Sequence, residues 1–184
     1  CTKILGNDIE LISRELGGIG KGDYVSVDIE TDRVKPESSD SWIVCISFAW
    51  DGRAVSFLWT KEVFDLVKKI LEDSSIFKVG WNIKFEDRWF RSRGIRVKGW
   101  AWDGMLATHV LDSRNGVTSL KFQAFVQFGV ETYDDEIKSF LRADSGNESN
   151  RIREVDRKKL LLYNCIDSLL TWFLWKKQRE NISG

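Results

Sequence analysis

The chain has 184 residues, 42% of them hydrophobic and 30% charged, with 28 basic against 28 acidic side chains. That is long enough for one domain with a substantial core and too short for a second large one; it excludes a largely disordered chain and any broad cationic surface that would hold duplex DNA by counterion release. Cys1, Cys45 and Cys165 are widely spaced with no CxxC pair, no apolar run approaches the ~18 residues of a membrane span, and the N-terminus lacks the basic-then-apolar order of a signal peptide, so the sequence points to a soluble protein of a reducing cytosol with neither a disulfide framework nor a zinc knuckle.

In chain order, Ile9 to Leu16 predicts a short helix, ended by the glycines of Gly17-Gly18-Ile19-Gly20. Tyr24 to Ile29 predicts an apolar, β-branched strand that runs into acids. Residues 32 to 41, with Pro36 among Ser and Asp, predict a polar loop. Trp42 to Trp50 and Arg53 to Trp59 then read as strands joined by Asp51-Gly52, a dipeptide suited to a tight hairpin turn. Val63, Phe64, Val67, Ile70 and Leu71 recur at helical spacing within Lys61 to Leu71, and Ile76 to Gly80 is a short strand entering a helix near Asn82, which makes a β-α-β crossover. A further helix follows Asp103, a polar loop occupies roughly 143 to 150, and a last helix runs from about Val155 to Gln178. A meander of three strands followed by strands alternating with helices predicts a mixed α/β sheet with helices packed on it.

Three segments concentrate chemistry. In Val25-Ser-Val-Asp28-Ile-Glu30-Thr31, strand alternation puts Asp28 and Glu30 on one face. Two carboxylates aimed together at the end of a buried strand repel unless a cation neutralises them, and a hard divalent metal is the economical solution, although an isolated D-x-E more often marks a solvated strand end. Val79-Gly80-Trp81-Asn82-Ile83-Lys84-Phe85-Glu86-Asp87 turns from strand to helix and brings Asn82 and an acid to the same sheet edge. Capping preferences alone would produce that pattern. In Leu160-Leu-Leu-Tyr163-Asn-Cys-Ile-Asp167 the i, i+4 spacing places Tyr163 and Asp167 on one helical face.

Taken together and in this order, D-x-E, N-x-x-F-E and Y-x-x-x-D resemble the three exonuclease motifs of the DEDD superfamily, in the tyrosine-bearing subgroup that includes the proofreading domains of family-A DNA polymerases and the ribonuclease D and Werner-type exonucleases. The resemblance spans roughly residues 23 to 176. Between the second and third motifs, Trp102-Asp103-Gly-Met-Leu-Ala-Thr-His-Val-Leu-Asp112 and Ser119-Leu120-Lys121 are similar to the family's D-T-M-L-A and S-L-K stretches, with Gly104 where Thr is usual. It implies a ribonuclease H-like mixed five-stranded sheet, an antiparallel meander of strands one to three followed by parallel strands, flanked by helices and forming a single exonuclease domain over residues 1–184.

The resemblance further implies that Asp28, Glu30, Glu86 and Asp167 hold two divalent ions, Mg²⁺ or Mn²⁺, and that Tyr163 orients or helps deprotonate the attacking water. The usual motif places Asp at position 86. Here Glu86 stands there and Asp87 follows; a rotation of about 100° per residue keeps both from one metal, and Glu86 is preferred because Phe85 then keeps its place in the core. Thr31, Val34 and Asn82 are expected at the terminal nucleotide, with Arg33 nearby and Lys84 or Lys121 at backbone phosphates. His109, the single histidine, lies between motifs and is given no catalytic role; an exposed Trp could stack a base. The expected function is two-metal 3′→5′ hydrolysis of single-stranded or frayed DNA 3′ ends, proofreading for a family-A polymerase domain in the same or an associated chain, in a bacterial or phage-infected cytosol and without a membrane partner. The alternatives are a ribonuclease D-like exoribonuclease and a catalytically silent exonuclease fold that serves a polymerase as a binding module.

Overall fold

The structure is a computed structural model, and it describes all residues except 144, 146, 147 and 184, so part of the polar loop anticipated over 143–150 lies outside the described residues. Six strands, β1 (Thr2–Gly6), β2 (Tyr24–Thr31), β3 (Ile43–Trp50), β4 (Arg53–Leu58), β5 (Phe77–Gly80) and β6 (Trp100–Asp103), form one sheet in the order β1-β4-β3-β2-β5-β6. β2, β3 and β4 are the antiparallel meander; β5 and β6 add in parallel on the side of β2, and β1 adds parallel to β4 on the other edge. The hairpin between β3 and β4 turns on Asp51 (φ 48°) and Gly52 (φ 70°), the pair of positive φ angles that an Asp-Gly turn takes between twisted strands.

The sheet has one strand more than the five anticipated. β1 was not foreseen because only Leu5 of its residues is buried, which leaves no alternation to read; its place is set by pairing with β4.

Among the described residues seven helices flank the sheet, α1 (Ile9–Leu16), α2 (Lys61–Glu72), α3 (Ile83–Ser92), α4 (Gly104–Leu111), α5 (Leu120–Phe128), α6 (Lys138–Leu141) and α7 (Arg157–Ser183), with a 3₁₀ turn at Ile152–Glu154. β2 shows how the sequence divides the two faces. Val25, Val27 and Ile29 enter the main core with Ile12, Val67, Leu71, Trp89 and Phe90 from α1, α2 and α3. The alternate residues Ser26, Asp28 and Glu30 face α7, which packs across β1 to β5.

That second face is lined with small hydroxyl residues, so α7 can lie close to it. Ser26 Oγ donates to the Ser168 carbonyl, Ser47 Oγ to the Asn164 carbonyl at 2.8 Å and Ser56 Oγ to Asn164 Oδ1 at 2.8 Å. These buried hydroxyls are therefore satisfied by the helix they support. Asp156 caps α7, its carboxylate accepting from Lys158 N and Lys159 N, which is why the helix opens at Arg157 and not at the anticipated Val155.

Candidate active site

The acids meet where β2 ends beneath α7. Oxygens of Asp28, Glu30 and Asp167 all lie within 4.8 Å of one another, Asp28 and Glu30 partly open to solvent and Asp167 buried. In octahedral coordination at 2.0–2.1 Å per ligand, cis and trans oxygens stand about 3 and 4 Å apart, so these three carboxylates fit one hard divalent ion with little movement.

Glu86 lies beside this trio without belonging to it. It sits in the first turn of α3, is 4% exposed, and its Oε2 has no hydrogen-bond partner. Burial holds its carboxyl well above the usual range, and the charge of Asp28 pushes it the same way. Asp28 and Glu30 are thus the acids of the trio whose charges are felt together with that of Glu86. Asp87 is turned elsewhere, accepting from Arg91 Nε at 2.5 Å and from the Trp100 indole N–H at 3.1 Å.

The remaining acids are raised by the same physics. Burial, then the Asp167 charge, lifts Asp28; burial, then Asp28 and Asp167, lifts Glu30; and burial lifts Asp167. Two buried and two half-buried carboxyls brought together with an orphaned oxygen among them make a poor structural element and a good cation trap.

Tyr163 stands one helical turn before Asp167 on α7, as the spacing required. Its hydroxyl accepts from Lys121 Nζ at 2.8 Å. Burial, then the charges of Glu30 and Asp167, drives the phenol far above its ordinary range, so it keeps its proton.

A second tyrosine was missed by sequence reasoning. Tyr133 donates its hydroxyl to Asp167 Oδ1, and its ring lies 5.9 Å from that of Tyr163. It comes from an irregular segment between α5 and α6 where no periodicity marks it. Asn164 was also missed: fully buried on α7, it donates Nδ2 to Asp28 Oδ2 at 2.7 Å while Ser56 holds its Oδ1. A buried Asn among the apolar positions of a helix was the signal available, since such a group must find partners.

The strand-to-helix turn at Asn82 depends on Asp103. Asn82 adopts the left-handed conformation (φ 67°), and the Asp103 carboxylate accepts from Asn82 N and Ile83 N, each at 3.0 Å. The same carboxylate caps α4 through Met105 N and Leu106 N. One acid therefore fixes both the start of α3, which carries Glu86, and the start of α4.

The anticipated nucleotide contacts are distributed around the same edge. Thr31 is buried, its hydroxyl donating to Arg33 O and its carbonyl accepting from Asn150 Nδ2. Val34 is 53% exposed on a loop pinned by the Trp89 indole N–H, which donates to its carbonyl at 3.3 Å. Asn82 is half-buried with a side chain that makes no capping bond, and Lys84 is exposed. Arg33 is held by Asp40 and Asp32. His109 is exposed on α4. Trp42 is the exposed tryptophan next to the end of β2, with the Arg153 guanidinium 5.8 Å from its ring centre and Asp32 bonding both Arg153 and the Trp42 amide.

A family profile described as 3′-5′ exonuclease matches residues 9–177. The chain belongs to this family. The three acid motifs and their order make it an exonuclease domain of the DEDD type, and the sheet with its flanking helices is the ribonuclease H-like fold of such enzymes. Among solved structures, Brucella melitensis NrnC with bound Mg²⁺ is 15% identical at a TM-score of 0.67, over 99% of this chain and 81% of that one. Escherichia coli RNase D, an exoribonuclease involved in structured RNA processing, is 14% identical at 0.65, over 96% and 44%. The POL domain of Pol1 from M. smegmatis, in complex with DNA primer-template and dNTP, is 14% identical at 0.60, over 100% and 28%. At these identities the likeness is one of fold, shared by DNA and RNA enzymes alike. Among the described residues no helix of the exonuclease is long and apolar enough to cross a membrane.

Proposed function

We propose that this exonuclease removes nucleotides from single-stranded or frayed DNA 3′ ends with two divalent ions, Mg²⁺ or Mn²⁺, as the proofreading activity of a family-A DNA polymerase whose polymerase domain lies in the same or an associated chain. The observation that carries the reading is the grouping of Asp28, Glu30 and Asp167 oxygens within 4.8 Å beside the buried, unpartnered Glu86 Oε2. Asp28, Glu30 and Asp167 would hold one ion, and Asp28 with Glu86 a second. When bound, the ions supply charge to lower the cost of in-line attack on a phosphodiester.

The chain's own groups do the rest. Asn164 keeps the Asp28 carboxylate turned toward the site, and Tyr133 does the same for Asp167. Tyr163, protonated and fixed by Lys121, donates to an oxygen of water or phosphate and so orients the nucleophile; it does not serve as the base. The exposed Val34 and the half-buried Asn82 form the rim on which the terminal nucleotide rests, the buried Thr31 holds the loop of that rim through its bond to the Arg33 carbonyl, and Lys84 meets the backbone. The choice of DNA rests on the W-D-x-M-L-A and Y-N-x-x-D-S-L-L wording, which is closer to the polymerase branch than to ribonuclease D, and it carries the proposal of a bacterial or phage-infected cytosol.

The test is degradation of a 5′-labelled single-stranded DNA and its RNA equivalent, with Mg²⁺, Mn²⁺ or EDTA, by wild type and Asp28→Ala. The expected result is a metal-dependent DNA ladder shortening from the 3′ end and absent in the variant. A faster RNA ladder moves the enzyme to the ribonuclease branch, and no ladder on either substrate overturns the proposal in favour of the catalytically silent fold.

A further inference from the structure

A lysine from outside the three motifs reaches the tyrosine that stands beside the acid cluster. Lys121, in the first turn of α5, places Nζ 2.8 Å from the Tyr163 hydroxyl and 3.4 Å from Asp134 Oδ2, a carboxylate only 5% exposed. It lies 4.8 Å from the centre of the Tyr163 ring and 5.8 Å from that of Tyr133, whose hydroxyl is bonded to Asp167. A surface lysine contacting a phosphate would be free to swing; this one is fixed on three sides.

The chemistry of an ammonium gives that arrangement a direction. Lys carries three hydrogens and no lone pair, so the hydrogen bond can run only from Nζ to the phenol oxygen. The oxygen's accepting capacity is then taken on the α5 side, and the phenol hydrogen is left for an acceptor on the side of the acids. Asp134 makes the lysine's position costly to abandon, because without Nζ a buried carboxylate loses its counter-charge. At the same time that positive charge stands against both tyrosines, one of which is hydrogen-bonded to Asp167, and from there it offsets part of the field with which the acids would draw a divalent ion.

We infer that Lys121 is the positioning residue for the Tyr163 phenol and a built-in counter-charge to the acid cluster, so that it weakens divalent-ion binding while raising turnover. The inference rests on the exonuclease reading of the site. It gives the two quantities opposite signs, which a purely structural lysine would not.

The experiment compares wild type, Lys121→Met and Lys121→Arg in the full chain, and repeats the Met change in Tyr163→Phe. Mn²⁺ binding is followed by titration calorimetry without substrate, and kcat and KM are measured on an oligonucleotide at saturating metal. Lys121→Met is expected to bind Mn²⁺ several-fold more tightly, yet to lose roughly 10–100-fold in kcat, the loss usual when a group that orients the site is removed, with KM changed less. Lys121→Arg, which keeps Asp134 partnered, should bind Mn²⁺ as wild type does and recover part of kcat. In Tyr163→Phe the Met change should cost little more kcat. Unchanged or weaker Mn²⁺ binding in a Lys121→Met protein of wild-type melting temperature overturns the inference, as does full additivity with Tyr163→Phe. If Lys121→Met does not fold, an Arg variant with altered Mn²⁺ affinity overturns it equally. Mn²⁺ binding abolished by Asp28→Ala but unaccompanied by hydrolysis would instead strike the proposed function, and the calorimetric comparison would still decide the counter-charge.

Discussion

Glu86 and Asp87 are adjacent in sequence, and the helix sends them in different directions. Glu86 enters the cluster with an orphaned oxygen, whereas Asp87 is occupied by Arg91 and Trp100 at the edge of α3. Glu86→Gln keeps the shape and removes the charge. It should lower activity by more than the roughly 10–100-fold typical of a group that only orients a ligand, and should raise the melting temperature of the metal-free protein, because a buried, raised carboxyl is relieved. Asp87→Asn should change activity less than about three-fold, since exposed i, i+4 ion pairs are worth a few tenths of a kcal/mol. Initial rates and thermal melts of both variants check this, and the reverse ranking would make Asp87 the functional acid. A gain in stability coupled to a loss of activity is the mark of a residue kept for function against the interest of the fold.

At the level of elements, the junction of β5, α3 and α4 is built on a large residue set against a small one. A Cβ at Gly104 would come within 2.4 Å of the Trp81 ring, and that ring cannot swing aside cheaply because its N–H donates to the Thr118 carbonyl at 2.9 Å. The departure from Thr at this position thus has a partner 23 residues earlier, at Trp81. Gly104→Ala should destabilise by about 1–3 kcal/mol through overpacking. Combined with Trp81→Leu it should show a coupling of roughly 1 kcal/mol or more in a denaturant-unfolding cycle, and additive effects would contradict the steric account. The same junction shows what the sequence made legible. Period and punctuation located α1, β2 to β5, α2 and the body of α7, and three motifs located Asp28, Glu30, Tyr163 and Asp167 on their elements. β1 and β6 bury too few of their residues to show an alternation, α5 was passed over although Gly129 (φ 68°) ends it, and α6 is a single turn without a side-chain cap. Tyr133, Asn164 and the bonds from Asn82 N and Ile83 N to Asp103 are products of tertiary contact, between residues up to 136 apart in the case of Asn164 and Asp28, and no local pattern encodes them.

Over the whole molecule, the sheet carries two different cores on its faces, and the cost of the polar one is set by pH. On the α1–α3 side the packing is apolar; on the α7 side it is interrupted by serines, Asn164 and the acids Asp28, Glu30 and Asp167, with Glu86 added from the first turn of α3. Asp28, Glu30, Glu86 and Asp167 all have carboxyls raised in the folded state, chiefly by burial and then, for all but Asp167, by another acid. Unfolded, they would titrate near about pH 4. Above that pH the folded chain therefore binds more protons than the unfolded one, and the stability linked to those protons, fully present below about pH 4, is lost as pH rises through the raised folded values. The exposed acids that are lowered, such as Asp112 at about 2, act in the opposite sense and only below the ordinary carboxylate range, so the two effects occupy separate windows. In EDTA the melting temperature should fall between about pH 5 and pH 8, with a slope flattened in Asp28→Asn/Glu86→Gln. Divalent ions compete with those protons for the same oxygens, so the stabilisation by Mg²⁺ should grow as pH rises and vanish toward the acid end. Melts across that range with Mg²⁺ and with EDTA decide it. A flat or rising profile in EDTA, or a Mg²⁺ effect independent of pH, would mean that the acids are neutralised by the protein itself and that the site is not built around absent cations.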